Sequence, residues 1–343
     1  MNENPQQEHR SLLSRRAILQ GGTLFLAGAS LARDATIELL ADEAAASRPR
    51  AQIGLVSDLH YAERAPAGTR HYRQTPAKLA EAAQRFQDQK TDAVVALGDL
   101  IDAADSLDVE KGYLRRIAKE LAAVPGRHDF VLGNHCVYSL TKPEFLEIVG
   151  QKRSYYSFDL GGCHFVVLDA CFRSDGVPYG RKNANWTDAN VPPAELAWLE
   201  AELARTSHKT IAFLHQRLDV PPPYGVKNAL EVRKVLERSA KVLAVVQGHY
   251  HPGDYREIQG IHYCTLAALV EGSGPENNAY SILGILPGDA IRITGFRRQK
   301  SYRWPEKIPP VQPQRRTKDC SIGSVRLPWA HGGSPRSGDP RGV

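Results

Sequence analysis

Ala93-Val94-Val95-Ala96-Leu97-Gly98-Asp99-Leu100-Ile101-Asp102 runs from an unbroken apolar stretch straight into a glycine and two carboxylates. Five apolar residues in a row read as a strand buried on both faces. A carboxylate at the carboxyl end of such a strand leaves the sheet where a rigid scaffold holds it. Open α/β sheets place their ligands at that edge. The pattern recurs along the chain. Ile53-Gly54-Leu55-Val56 ends at Ser57-Asp58-Leu59-His60, and Phe130-Val131-Leu132 ends at Gly133-Asn134-His135. The apolar run 210–214 ends at His215, and 242–246 ends at Gly248-His249-Tyr250-His251.

Between these runs the apolar spacing predicts helices over 75–89, 113–124, 142–149, 194–206 and 229–239. The segments 155–160 and 164–168 read as a hairpin around Gly161-Gly162. Strands alternate with helices early and crowd together later, which fits an α/β sandwich of two sheets covered by helices.

The chain has 343 residues and a formal net charge of +6, with many of its arginines near the two ends. No basic stripe with interleaved aromatics appears in the middle, so no nucleic-acid partner is expected. Five cysteines, Cys136, Cys163, Cys171, Cys264 and Cys320, form no CxxC pair, which gives a zinc ribbon or a thioredoxin-type redox site no support. Ser14-Arg15-Arg16 followed by a short, glycine-containing apolar stretch resembles a twin-arginine export signal. The stretch is too short to span a bilayer. The expected organisation is a signal over 1–35, a linker over 36–50, a catalytic domain over 51–302 and a disordered Pro/Arg/Gly-rich tail over 303–343. That signal implies the twin-arginine translocase as a partner and a periplasmic or extracellular location.

A lone histidine at a strand end is more often structural than functional. Five consecutive strand ends with such residues are harder to assign to packing. Asp58, His60, Asp99, Asn134, His215, His249 and His251 form a mixed oxygen and nitrogen set without thiolate. Such a set suits Mn²⁺ or Fe²⁺, with Zn²⁺ also accommodated, better than Ca²⁺ or Mg²⁺.

In this order SDLH, GDLID, GNH, the lone His215 and GHYH resemble the motifs of the calcineurin-like metallophosphoesterase superfamily, from Ile53 to His251. The resemblance implies a four-layer α/β/β/α sandwich of two mixed sheets and a centre of two divalent metal ions. It implies Asp58, His60 and His251 on the first ion, Asn134, His215 and His249 on the second, and Asp99 bridging both. A metal-bound hydroxide would attack phosphorus. His135 would be the general acid for the leaving oxygen, and Asp102 would orient it.

Departures from the family's branches narrow the substrate. Ala103-Ala104 stand where phosphoprotein phosphatases carry a phosphate-gripping arginine, and Leu100-Ile101 where purple acid phosphatases carry a ligand tyrosine. Cys136 follows GNH and reads as a packing residue, with a reactive thiol as the alternative. The stretch Asp58–Arg73, Leu168-Asp169-Ala170-Cys171, Tyr179-Gly180 and Trp186 are most similar to the Mn²⁺-dependent ADP-ribose and CDP-alcohol diphosphatase branch. That implies hydrolysis of a phosphodiester or phosphoanhydride in a small nucleotide-like substrate. Arg70, His71, Tyr72, Arg173, Arg181 and Arg217 are candidate substrate contacts, and Tyr72, Tyr179 and Trp186 are candidate base-stacking rings. A phosphomonoesterase of the same fold and a non-catalytic binding protein are the alternatives.

Overall fold

Strands apolar on both faces need a packing layer on each side. The computed structural model describes residues 48–305. One six-stranded sheet has the order β12 (Tyr302–Trp304), β11 (Ile291–Arg297), β10 (Ala279–Ile285), β1 (Ala51–Val56), β2 (Ala93–Ala96), β3 (Arg127–Phe130). The other has the order β4 (Tyr156–Leu160), β5 (Cys163–Val167), β6 (Thr210–Phe213), β7 (Val242–Gln247), β9 (Ile261–Thr265), β8 (Asp254–Ile258). In the first sheet β1, β2 and β3 run parallel. In the second, β5, β6, β7 and β9 run parallel. Both sheets are mixed, with antiparallel strands toward their edges.

The period of two sorts each strand into two cores. Ile53, Leu55, Val95, Leu97, Phe165, Val167, Ile211, Phe213, Ala244 and Val246 face the space between the sheets. Their neighbours Val56, Val94 and Ala96 face outward and pack with Leu79 and Phe86 of α1 (Thr75–Asp88), Leu114, Ile117 and Leu121 of α2 (Leu107–Ala122) and Phe145 of α3 (Lys142–Val149). On the far side Val166, Ala212 and Val245 pack with Leu199 and Leu203 of α4 (Pro193–Arg205) and Val232 and Leu236 of α5 (Ala229–Ser239). The result is the four-layer α/β/β/α sandwich. At Gly54 a Cβ would stand 2.7 Å from the Phe86 ring, so glycine is what lets α1 lie this close to β1.

Three local expectations shift. Helix α2 starts at Leu107, six residues before the apolar spacing begins to register, because Ser106 caps it: its Oγ accepts from Val109 N at 3.4 Å. Asp108 and Glu110 then sit favourably in the first turn. Strand β3 pairs over Arg127–Phe130, with Val131 adding one bond to Ala96 O at 2.9 Å, so its ladder starts earlier than the apolar residues do. The expected domain end at 302 falls inside β12, whose Trp304 stacks on His262 at 4.6 Å and on Tyr255 at 5.5 Å. Of the expected linker, Arg50 already bonds the sheet, its N donating to Ile285 O at 2.6 Å. The expected signal, residues 36–47 of the linker and the tail beyond 305 lie outside the described residues. No helix among the described residues is long and apolar enough to cross a membrane.

The inter-sheet core holds the two halves together, and Phe213 is fully buried in it, stacked at 5.7 Å and 5° on Phe165 of the neighbouring strand. Phe213→Ala should therefore cost about 3–5 kcal/mol of folding stability. Urea unfolding reads this as a lower midpoint at unchanged slope, and a loss below about 1 kcal/mol would contradict a close-packed seam there.

Candidate metal centre

The carboxyl ends of β1, β2 and β3 in one sheet and of β6, β7 and β9 in the other meet along one edge. Backbone bonds stitch them: Asp58 N to Gly98 O at 3.2 Å, His60 N to Asp99 O at 2.8 Å, Leu269 N to Ser57 O at 3.0 Å and Val270 N to Asp58 O at 3.2 Å. Asp58, His60, Asp99 and His249 all have positive φ, between 45° and 71°. Side chains rarely adopt this region, and such strain concentrates where function demands a particular direction. Two glycines make the approach possible. A Cβ at Gly133 would stand 2.2 Å from Asp99 Oδ1, and one at Gly98, itself at φ 89°, would stand 2.5 Å from His215 Nδ1.

The chain brings all seven expected ligands to this edge. Asp58, His60 and His251 form one group whose ligand atoms lie within 4.8 Å of one another, and Asp99, His215 and His249 form another. Asp99 Oδ1 accepts from His135 N at 2.8 Å. Asp99 Oδ2 faces both groups, 3.6 Å from His60 Nε2 and 3.1 Å from His215 Nε2. Oδ2 is thus the Asp99 oxygen that would be shared by two ions, while Oδ1 already accepts a backbone hydrogen bond from the GNH loop. Asn134 precedes His135, whose N bonds Asp99, and is 7% exposed, its Oδ1 buried without a hydrogen bond.

Tautomers test whether metal ions fit. His215 Nδ1 lies 2.7 Å from Leu97 O, an atom that only accepts, so the ring proton sits on Nδ1. His251 Nδ1 donates to Glu271 Oε1 at 2.5 Å for the same reason. In the neutral rings both Nε2 atoms carry lone pairs: His215 Nε2 faces Asp99, and His251 Nε2 lies 3.2 Å from His60 Nε2 and 3.6 Å from Asp58 Oδ1. Lone pair against lone pair is repulsive unless a proton or a metal cation lies between them. Asp58 Oδ1, Asn134 Oδ1, His215 Nε2 and His249 Nε2 are all buried without hydrogen-bond partners, which is the pattern of donors turned toward a cation. The residues fit divalent metal ions.

The charges agree. Burial would raise the Asp99 carboxyl, but His215 and its other histidine neighbours hold it well below the usual carboxylate range. Burial opposes charge on His215, yet Asp99 and Asp58 push it up to about 9. Burial and the charge of His215 push His249 down to about 3. Protons thus gather where the carboxylates crowd, the task a metal cation would take over.

Beside the two groups stands a third, His60, Asp102 and His135. Asp102 Oδ1 accepts from His135 Nδ1 at 3.1 Å. Burial works against protonation of His135, but Asp99 and Asp102 raise its pKa, and Nδ1 is the ring nitrogen engaged by Asp102. Asp102 also accepts from Arg64 at 2.7 Å, and the Arg64 guanidinium lies 3.9 Å over the buried Tyr72 ring.

The expected substrate contacts divide. Arg70 is close enough to His135 to oppose its protonation. His71 is tied to this edge through its backbone, N to Val270 O at 3.0 Å. Arg217 is buried and committed to Asp219 and Asp254, each at 2.6 Å, so it braces a loop and has no free face for phosphate. Arg181 pairs with Glu144 at 2.7 Å and Arg173 with Asp175 at 2.6 Å. Tyr72 and Tyr179 are each only 2% exposed and cannot stack on a base, whereas Trp186 is open. Cys136 packs against Leu100 N, and burial pushes its thiol up to about 12, which rules out a reactive thiolate. The four cysteines of the described residues are free and buried.

Two supporting residues escape a motif-based reading. Arg64 carries no motif. Glu271 ends the apolar run Leu266–Val270, a sixth instance of the strand-end pattern. Its loop is clamped by Lys78 of α1, whose Nζ donates to the carbonyls of Leu269, Glu271 and Gly272 at 3.0, 2.8 and 2.7 Å.

A family model described as calcineurin-like phosphoesterase matches residues 51–253. The chain is 27% identical over 173 residues to a Fibrobacter succinogenes protein named "probable cyclic nucleotide phosphodiesterase", covering 47% of this chain and 57% of that one. It is 24% identical over 277 residues to the manganese-dependent ADP-ribose/CDP-alcohol diphosphatase of Arabidopsis thaliana, covering 66% of this chain and 88% of that one. The crystal structure of a dimetal phosphatase from Danio rerio shares the fold, with a TM-score of 0.65 at 21% identity over 74% of this chain and 98% of that one.

If Asp99 Oδ2 joins the two groups, Asp99→Asn should lower the metal content of the purified protein, measured by mass spectrometry. Glu271→Gln should keep the shape but release His251 from its fixed tautomer, weakening Mn²⁺ binding about 10- to 100-fold. Calorimetric titration showing wild-type affinity in both variants would remove these assignments.

Proposed function

The chain belongs to the calcineurin-like phosphoesterase family, and on that premise we propose that it hydrolyses a phosphodiester or phosphoanhydride in a small nucleotide-like substrate, using two divalent metal ions. The observation that carries the reading is a cleft of about 350 Å³ lined by Asp102, Ala103, Asn134, His135, Tyr138, Ala184, Asn185 and Trp186. One wall is the ligand edge with its acid; the other is aromatic.

Asp58, His60 and His251 would hold one ion, and Asn134, His215 and His249 the other, with Asp99 shared. The ions supply positive charge against the phosphoryl oxygens and a more acidic water. Manganese or iron suits the oxygen and nitrogen donors, and the Arabidopsis relative is named as manganese-dependent. His135 holds a proton on Nε2, on the side of the cleft, and passes it to the departing oxygen. Asp102 keeps that ring oriented through Nδ1, and Arg64 keeps Asp102 oriented in turn. Ala103 adds no cation to grip a terminal phosphate, which supports an ester with substituents on both sides. Cyclic nucleotides, ADP-ribose and CDP-alcohols are the substrates to try, since the relatives are named for them.

With Mn²⁺ added, bis(p-nitrophenyl) phosphate should turn over faster than p-nitrophenyl phosphate; the opposite order would indicate a phosphomonoesterase. His135→Ala should lose about 10²- to 10⁴-fold on alkyl leaving groups and much less on p-nitrophenol. Equal losses on both would take the acid role away from His135.

The proposal extends to export by the twin-arginine route, supported by Arg15-Arg16 and the apolar stretch that follows. A reporter fused behind residues 1–35 should reach the periplasm, and Arg15→Lys/Arg16→Lys should retain it inside. Retention of the unaltered fusion in the cytoplasm would overturn this.

A further inference from the structure

Six large apolar side chains stay exposed among the described residues, and three of them surround the cleft: Tyr138, Trp186 and Tyr224. Tyr138 and Trp186 line it, at 40% and 42% exposure. Tyr224 touches Trp186, with ring centroids 5.6 Å apart. Both Trp186 and Tyr224 also pack on His249, at 5.5 and 5.9 Å. Exposed aromatic surface costs hydration free energy, and its gathering at one mouth marks a binding face.

The loops carrying these rings are braced before any ligand arrives. The Trp186 loop closes with Asp188 N on Asn185 O at 2.9 Å. It is tied down by Tyr179 Oη on Asn185 O at 3.1 Å and by Lys227 on Asp188 at 2.5 Å. Arg217 N donates to Tyr224 O at 3.2 Å, and the Tyr224 ring meets Tyr250 edge-on at 5.1 Å. The buried Arg217 lies 5.3 Å over Tyr250 and is itself pinned by Asp219 and Asp254. A ring held this way loses little freedom when a second ring stacks on it.

The geometry points to Trp186, backed by Tyr224, as a stacking platform for the nucleobase of the substrate, beside the Asp99, His215 and His249 group. The occupant is a flat aromatic heterocycle for three reasons. The rings offer π faces, no carboxylate lines the far wall to select a cation, and the cleft is of a size for a mononucleotide unit. Among the described residues that line it, those on the Trp186 side bring few hydrogen-bonding groups, Asn185 chief among them, so the platform favours stacking over base-edge reading. It should therefore accept several bases. This inference rests on the phosphodiesterase reading and adds its base subsite.

Two esters with one leaving group test it. Mn²⁺-loaded full-length protein is assayed with thymidine 5′-(p-nitrophenyl phosphate) and with methyl p-nitrophenyl phosphate. The wild type should prefer the nucleoside ester in kcat/KM, mainly through KM. Trp186→Ala should reduce that preference about 10- to 100-fold, and Trp186→Phe should restore most of it. A wild type without preference, or a preference that survives Trp186→Ala, overturns the platform while leaving the hydrolase reading standing. Inactivity on both esters strikes the hydrolase reading instead. Binding is then read directly: AMP should quench tryptophan fluorescence in the wild type and much less in Trp186→Phe. Equal quenching in both, or none in the wild type, overturns the platform.

Discussion

The contact between His215 Nε2 and Asp99 Oδ2, 3.1 Å apart, is the constraint around which the site is organised. Leu97 O accepts the hydrogen bond of the other ring nitrogen, so in the neutral ring the facing atoms are a lone pair and a carboxylate. Left alone they repel; with a cation between them they bind. A related geometry occurs at His251, where Glu271 plays the part of Leu97 and the free nitrogen faces His60 Nε2 and Asp58 Oδ1 together. Two such junctions in one edge create a demand for positive charge, met by a proton on His215 or by a metal cation in its place, and the architecture holds that demand in place.

Holding it has a conformational cost. Four of the functional side chains sit in the left-handed backbone region, and two glycines stand where any Cβ would collide with a ligand. A flexible loop would relax out of this arrangement. The sandwich prevents it, because each ligand residue is only two to four residues beyond a strand whose side chains are locked in one of the two faces of a close-packed core. Long-range bonds from Leu269 and Val270 to Ser57 and Asp58 close the seam between the sheets.

Beyond the ligands lies a second set of contacts that gives the site its orientation. Lys78 reaches from α1 to the loop of Glu271, Arg64 reaches Asp102, and Arg217 braces the loop of Tyr224. Each uses a cation to organise backbone or carboxylate at a distance from the reacting atoms. That is why arginines that look alike in a linear chain divide into one beside the acid, Arg70, and one locked inside the fold, Arg217.

Much was legible in the linear chain. Unbroken apolar runs, ended by Asp, Asn or His directly or after a Gly or Ser, specified the buried strands and the sandwich, and pointed to the residues that meet at the ligand edge. This works because strand burial and the carboxyl-edge position of functional residues are local consequences of the sequence. Other features were decided only by tertiary structure. Ser106 began a helix before its apolar face registered. Asp99 lost one oxygen to the backbone of the next motif. Glu271 and Arg64 acquired roles through partners 20 and 38 residues away. Among Tyr72, Tyr179 and Trp186, identical as candidates in sequence, only Trp186 stayed open to solvent. Which face of a ring is free, and which charge already has a partner, depends on chains that meet in space; residue type and spacing carry no record of it.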